Sequence, residues 1–145
     1  MIHEAERAMF RMWRVLVILL AVLPACGGPS GQRDIHWREA DRLYLAGARN
    51  GMVRVFDTRN GPVPYAQLTA KERRSVRDMQ LDERAARLWV LGDDALYVYD
   101  ARLLMLIERR PLPDGATDWQ RLELADAAVT LVSATRRLTL AIGRT

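Results

Sequence analysis

Cysteine occurs once in the chain, at Cys26, so no internal disulfide can form. Histidine is almost as scarce, and beyond the N-terminal region only His36 remains. One imidazole beside Trp37, with no thiolate to join it, falls short of the three or four ligands a zinc site needs. Lys71 is the single lysine against 21 arginines, and the net charge is only +4. No run of five or six like charges occurs, which excludes the basic arm of a nucleic-acid binder. Arg73-Arg74, Arg109-Arg110 and Arg136-Arg137 read instead as solvated faces. Gly27-Gly28-Pro29-Ser30-Gly31 lacks the Gly-Lys-Ser/Thr ending of a phosphate loop. Ser30, Ser75 and Ser133 lie in no Gly-x-Ser-x-Gly context. With no nucleophile, base and orienting group to assemble, the chain reads as a non-enzyme with no catalytic, cofactor-binding or metal-ligating residue.

Also missing is any apolar run long enough to span a bilayer. Val15 to Leu23 is nine residues; as a helix it covers ~14 Å against a hydrocarbon core of ~30 Å. Preceded by Arg11 and Arg14, it has the length and flanks of a signal-peptide core. Met9 would open a shorter, more ordinary leader than Met1 does. Leu23-Pro24-Ala25-Cys26 follows at once, and the Gly/Pro/Ser-rich segment from Gly27 to Gln32 has the composition of a flexible tether.

Leu23-Pro24-Ala25-Cys26 resembles the lipobox of bacterial lipoproteins, with Leu three residues before the cysteine and a small residue immediately before it. Pro24 departs from that pattern, where a small or hydroxyl residue is usual. The resemblance implies diacylglycerol on the Cys26 thiol, cleavage after Ala25, and anchoring by several acyl chains, which hold stably where one does not. Gly27, rather than Asp, follows the cysteine. By the same resemblance to Gram-negative lipoproteins, this implies the periplasmic face of the outer membrane. The expected organisation is a signal peptide and its helix over 1–25, a tether over 26–34, and one folded domain over 35–145.

That domain is organised around Arg87 to Asp100, RLWVLGDDALYVYD. Leu88 to Leu91 and Leu96 to Tyr99 are apolar and aromatic, and Gly92-Asp93-Asp94 supplies a reversal, so the stretch predicts a β-hairpin. The turn explains Asp93 and Asp94 better than acid–base chemistry does, and Asp57 and Asp100 read as caps of the turns after them. Arg42 to Asp57 repeats the pattern, and Val129 to Ile142 repeats it more weakly. Leu43 to Leu88 is a step of 45 residues and Leu88 to Val129 a step of 41, periods that belong to propeller blades. Asn60-Gly61 is the strongest hairpin turn in the chain. Thr69 to Asp82 predicts a loop or single helical turn and then a strand from about Val76. Asp100 to Arg110 fits either a short helix capped by Asp100 or an outer strand.

Val53-Arg54-Val55-Phe56-Asp57-Thr58-Arg59-Asn60-Gly61 resembles the third strand and turn of YVTN and PQQ-type propeller repeats. Leu96-Tyr97-Val98-Tyr99-Asp100 matches the strand without the Gly. The resemblance implies an all-β domain of about three degenerate four-stranded antiparallel units, as an open arc or a compact sandwich, with the third copy short of its outer strand. It carries over no quinone site, since no residue matches those ligands. Leu43, Leu45, Val53, Val55, Leu88, Val90, Leu96 and Val98 are expected to be buried together. An open arc is expected to leave the apolar faces of its first and last sheets uncovered and its final strand unpaired. The function this implies is a membrane-anchored envelope lipoprotein whose β domain is a protein-binding scaffold, with a protein partner or a second copy and no nucleic acid. The alternatives are a fragment of a larger propeller, or a quinoprotein-type enzyme.

Overall fold

Alternating apolar runs separated by Gly, Asp, Asn and Pro become eleven strands in a computed structural model that describes residues 31, 33–47, 49–115 and 118–142. The first sheet holds β1 (Asp34–Trp37), β2 (Arg42–Ala46), β3 (Val53–Asp57) and β4 (Val63–Leu68). The second holds β5 (Val76–Asp82), β6 (Arg87–Gly92), β7 (Ala95–Asp100) and β8 (Met105–Pro111). The third holds β9 (Arg121–Ala125), β10 (Ala128–Val132) and β11 (Arg137–Ala141). Each is an antiparallel meander in chain order. The domain is therefore all-β, two four-stranded propeller-like units and a three-stranded one, and the sheets do not close into a ring. The expected signal helix and Cys26 lie outside the described residues.

Both ambiguous segments resolve as strands. Residues 69–75 form a loop that leads into β5. Asp100 Oδ1 accepts the Arg102 and Leu103 backbone N–H groups, each at 2.8 Å, and so caps a turn over 101–104 rather than a helix. Asp57 does the same after β3, where Oδ1 accepts the Arg59 N–H at 3.0 Å.

The repeat is also written in backbone hydrogen bonds. The residue before each second strand offers its carbonyl to the residue after the third. Thr58 donates to Asp41 at 2.9 Å, Ala101 to Ala86 at 2.8 Å, and Ile142 to Ala127 at 2.9 Å. Asp41 and Ala86 both sit in the left-handed region, at φ 51° and 52°. Two unrelated side chains in the same costly conformation mean that the turn, not the residue, fixes the backbone there.

Two cores separate the sheets. Between the first and second lie Ile35, Trp37, Tyr44, Val53, Val55, Leu68, Val76, Met79, Leu88, Val90, Tyr97 and Tyr99. Between the second and third lie Trp89, Leu91, Leu96, Val98, Leu112, Trp119, Leu122, Val129 and Leu131. The second sheet is covered on both faces, which is why β6 and β7 read as continuous apolar runs rather than alternating ones.

This corrects the expected single core in two ways. Leu43 and Leu45 are only half-buried; Tyr44 between them is fully buried and faces Val53 and Val55. Leu96 and Val98 point into the second core, away from Leu88 and Val90. The end faces also differ from each other. On the first sheet, Leu43, Leu45 and Phe56 remain partly accessible. On the third, Thr130 pairs hydroxyls with Thr139 at 2.9 Å and Arg137 pairs with Glu123. That face is polar and needs no cover, contrary to the expectation for the last sheet.

Candidate protein-binding surface

Polar side chains from the connections tie the sheets together. Arg73, in the loop between β4 and β5, is 2% exposed. Its Nε donates to the Gly51 carbonyl at 2.5 Å, Nη1 to the Tyr99 hydroxyl at 2.9 Å and Nη2 to the Leu68 carbonyl at 2.8 Å. The guanidinium also lies 4.7 Å from the centre of the Tyr97 ring, a favourable placement for a desolvated cation. Arg73 is therefore no solvated face, because the planar fork satisfies carbonyls on one sheet and a phenol on the next. At the other end of the same gap, Arg42 Nη1 and Tyr44 Oη donate to the Ala101 carbonyl at 3.0 and 2.8 Å. Burial pushes the Tyr44 hydroxyl above its ordinary pKa, the lowering effect of Arg42 notwithstanding.

Asp78 links the second and third sheets. A register shift between Val76 and Asp78 re-aims this side chain. Its Oδ2 accepts the Leu122 N–H at 2.6 Å and its Oδ1 the Met79 N–H at 2.9 Å. Arg77 Nη1 adds a bond to the Trp119 carbonyl at 3.0 Å.

The Asp93-Asp94 pair does more than shape a turn. Asp93 Oδ1 accepts the N–H groups of Arg74 and Ser75 at 2.9 and 3.2 Å, holding the loop that delivers Arg73. Asp94 Oδ2 accepts the Tyr97 hydroxyl at 2.6 Å and Arg109 Nη2 at 3.0 Å. Burial pushes the Asp94 carboxyl up, but those two bonds outweigh it and hold the pKa below the ordinary range. Burial and then the Asp94 bond push Tyr97 up, while Tyr97 and Asp94 hold the Arg109 guanidinium more firmly protonated. Arg109 reaches Glu72 as well, at 3.9 Å.

Outside these clamps the exposed apolar surface concentrates on the outer strand of the middle sheet. Leu103 is 70% exposed, Met105 63%, Leu106 50% and Ile107 47%. The Asp100-capped turn, with Leu104 at φ 59°, places Leu103 outside the core. A register shift between Val98 and Tyr99 then turns the start of β8 outward. The other half of β8 is charged: Arg110 pairs with Glu108 at 2.5 Å, and Pro111 ends it. A strand that is apolar at one end and guarded by charge and proline at the other exposes a defined segment for pairing. On the first sheet the outer strand β4 shows Val63 and Tyr65, with Arg42 stacked 4.9 Å over the Tyr65 ring. A shallow cavity of about 340 Å³ runs beside it, lined by Arg54, Phe56, Tyr65 and Gln67.

Cys26, the predicted lipid-attachment residue, lies outside the described residues. His36 Nε2 lies 3.4 Å from the Thr58 hydroxyl in an exposed position. Among the described residues no group of three His, Cys, Asp or Glu side chains converges as a metal site. The β8 surface is not singled out by the sequence, where Leu103-Leu104-Met105-Leu106-Ile107 suits a buried helix face as well as an outer strand. The available signal was position: the fourth strand of a blade has a neighbour on one side only. No family model matches the sequence, and no curated protein matches it.

Proposed function

We propose that this protein is a cell-envelope lipoprotein, held by acyl chains on Cys26 at the periplasmic face of the outer membrane, whose β domain binds another protein. The anchor reading is supported by the short apolar run, the lipobox-like Leu23 to Cys26 and the Gly-rich segment after it. The binding reading is carried by one observation, the solvent-facing Leu103, Met105, Leu106 and Ile107 on and before β8. Four large apolar side chains exposed within five residues on and before an outer strand mark an interaction site more often than isolated surface leucines do. Main-chain groups on an outer edge give a partner strand its affinity, and flanking side chains such as Arg109 and Arg110 give register.

Chemical cross-linking in intact membranes tests the reading. Wild-type protein is expected to give a discrete cross-linked product that Leu106→Glu and Ile107→Glu both lose while keeping their cross-sheet fold. An identical product from the two variants removes β8 as the binding surface.

A further inference from the structure

The third sheet stops at three strands, in the order β11-β10-β9, and among the described residues nothing pairs with the outer side of β11. What that edge offers is fixed by its register. Ile142 N–H donates to the Ala127 carbonyl and Ser133 N–H to the Arg136 carbonyl, both at 2.9 Å. Antiparallel ladders alternate, so Leu138 and Leu140 spend their backbone groups on β10, while Arg137, Thr139 and Ala141 turn theirs outward. The side chains alternate as well. Leu138 and Leu140 lie half-buried against the second core, and Arg137, Thr139 and Ala141 face solvent.

Arg137-Leu138-Thr139-Leu140-Ala141 is nearly a palindrome about Thr139. We propose that two copies of this chain pair antiparallel through β11, about a two-fold axis at Thr139, into one continuous sheet. The register follows from the outward groups. Thr139 meets Thr139 of the second copy as a hydrogen-bonded pair, and Arg137 meets Ala141 in both directions. Leu138 falls opposite Leu140 on the inner face, extending the cover over Leu138, Leu140 and Ile142. On the outer face the Thr130–Thr139 hydroxyl pair continues across the axis into its symmetry mate, and Thr–Thr cross-strand pairs are favourable. The one charge on the edge, Arg137, is neutralised within its own sheet by Glu123 and meets alanine rather than another arginine. Like charges opposite one another oppose pairing, and this register has none.

The alternatives fit worse. A shift of one residue turns Leu138 and Leu140 to the polar face. A shift of two puts the axis at Leu138 or Leu140 and pairs only three of the five strand residues across it. Arg110 Nη1 reaches the Ala141 carbonyl at 3.3 Å, a long bond that uses one of two lone pairs. Apart from that Arg110 contact the pairing uses β11 alone, and it does not depend on what Leu106 and Ile107 bind.

Cysteine cross-linking on the full chain in detergent tests it. In Cys26→Ser protein a thiol introduced elsewhere is the only one. Thr139→Cys is expected to oxidise to a disulfide dimer, since a hydrogen-bonded pair sets Cα atoms about 5.5 Å apart, within disulfide range. Arg137→Cys is expected to stay monomeric, because its symmetry mate lies four residues further along, roughly 13 Å away. Wild-type chain is expected to sediment as a dimer and Thr139→Lys, which sets two ammonium groups face to face, as a monomer. Equal cross-linking from both cysteines, none from Thr139→Cys, or an unchanged dimer in Thr139→Lys overturns the proposal. The β8 variants Leu106→Glu and Ile107→Glu are expected to leave the dimer intact, which separates failure here from failure of the partner-binding reading.

Discussion

The Arg73 guanidinium donates to the Tyr99 hydroxyl at 2.9 Å across the gap between the first and second sheets. It also closes on the Leu68 and Gly51 carbonyls at 2.8 and 2.5 Å. One side chain from a connecting loop thus joins the end of one blade, the turn of the same blade and the third strand of the next. Gly51 is part of this arrangement. At φ 61° it takes a conformation few side chains tolerate, and a Cβ there would fall 2.1 Å from the Arg73 carbonyl.

Removing that donor strands three buried groups, and an unsatisfied buried acceptor costs ~1–3 kcal/mol. Arg73→Ala is therefore expected to lower stability by about 3 kcal/mol or more in a urea titration, a large share of a small domain's ~5–15 kcal/mol. Arg73→Lys is expected to recover only a minority of the loss, because a single ammonium cannot reproduce the fork. The exposed neighbour Arg74→Ala is expected to stay within ~0.5 kcal/mol of wild type.

Face parity in the first sheet gives a second test. Tyr44 is fully buried and bonds the Ala101 carbonyl, while Leu45 is only half-buried. Tyr44→Ala is expected to cost ~3–5 kcal/mol, as aromatic-to-alanine changes in a core do. Leu45→Ala is expected to cost clearly less. A larger loss from Leu45 would restore the parity that alternating leucines suggest.

These two positions show where sequence reasoning held and where it ended. The strands and hairpins were legible because turn chemistry is local: Gly92-Asp93-Asp94 and Asn60-Gly61 punctuate the runs whatever lies around them. The recurrence of Asp57 and Asp100 gave the caps for the same reason. Parity in β2 was not legible, since Leu43, Tyr44 and Leu45 are all apolar and no polar residue marks the outer face. Nor was the division of β6 and β7 between two cores, because a sheet covered on both faces erases the alternation that would assign sides. Arg73 escaped because its partners are mostly carbonyls, and carbonyls have no signature in sequence. The β8 surface was half legible: the apolar residues stood out, but only the outer position of the strand makes them accessible.

The joint between the second and third sheets rests on Asp78. Two backbone N–H groups converge on its carboxylate, at 2.6 and 2.9 Å. Bonds to a charged acceptor are worth ~1.5–3 kcal/mol each. Asp78→Ala is expected to raise hydrogen exchange at Leu122 and through β9 to β11 before the first sheet is affected. Uniform acceleration across all three sheets would mean that the third has no separate joint.

Acid sensitivity follows from Asp94. Its folded pKa lies below the ordinary value, so its contribution is fully present above the unfolded pKa of ~3.9. That contribution is lost as pH falls from there through the folded pKa. Asp94→Asn is expected to flatten the fall in stability below about pH 4 while lowering stability at neutrality. Asp57, Glu108 and Asp118 are also held down, first of all by bonds to Arg59, Arg110 and Arg136. Those pairs are solvent-screened, so Asp57→Asn is expected to change the acid profile little. An unchanged profile in Asp94→Asn would remove the Tyr97–Asp94–Arg109 cluster from the explanation.

The anchor on Cys26 is tested most directly by mass spectrometry of the N-terminal peptide, taken from protein extracted out of native membranes. The predicted result is a chain beginning at Cys26 and carrying diacylglycerol on its thiol, with the mass lost in Cys26→Ser. A peptide that extends upstream of residue 26, or one that contains Cys26 with a free thiol, would contradict it.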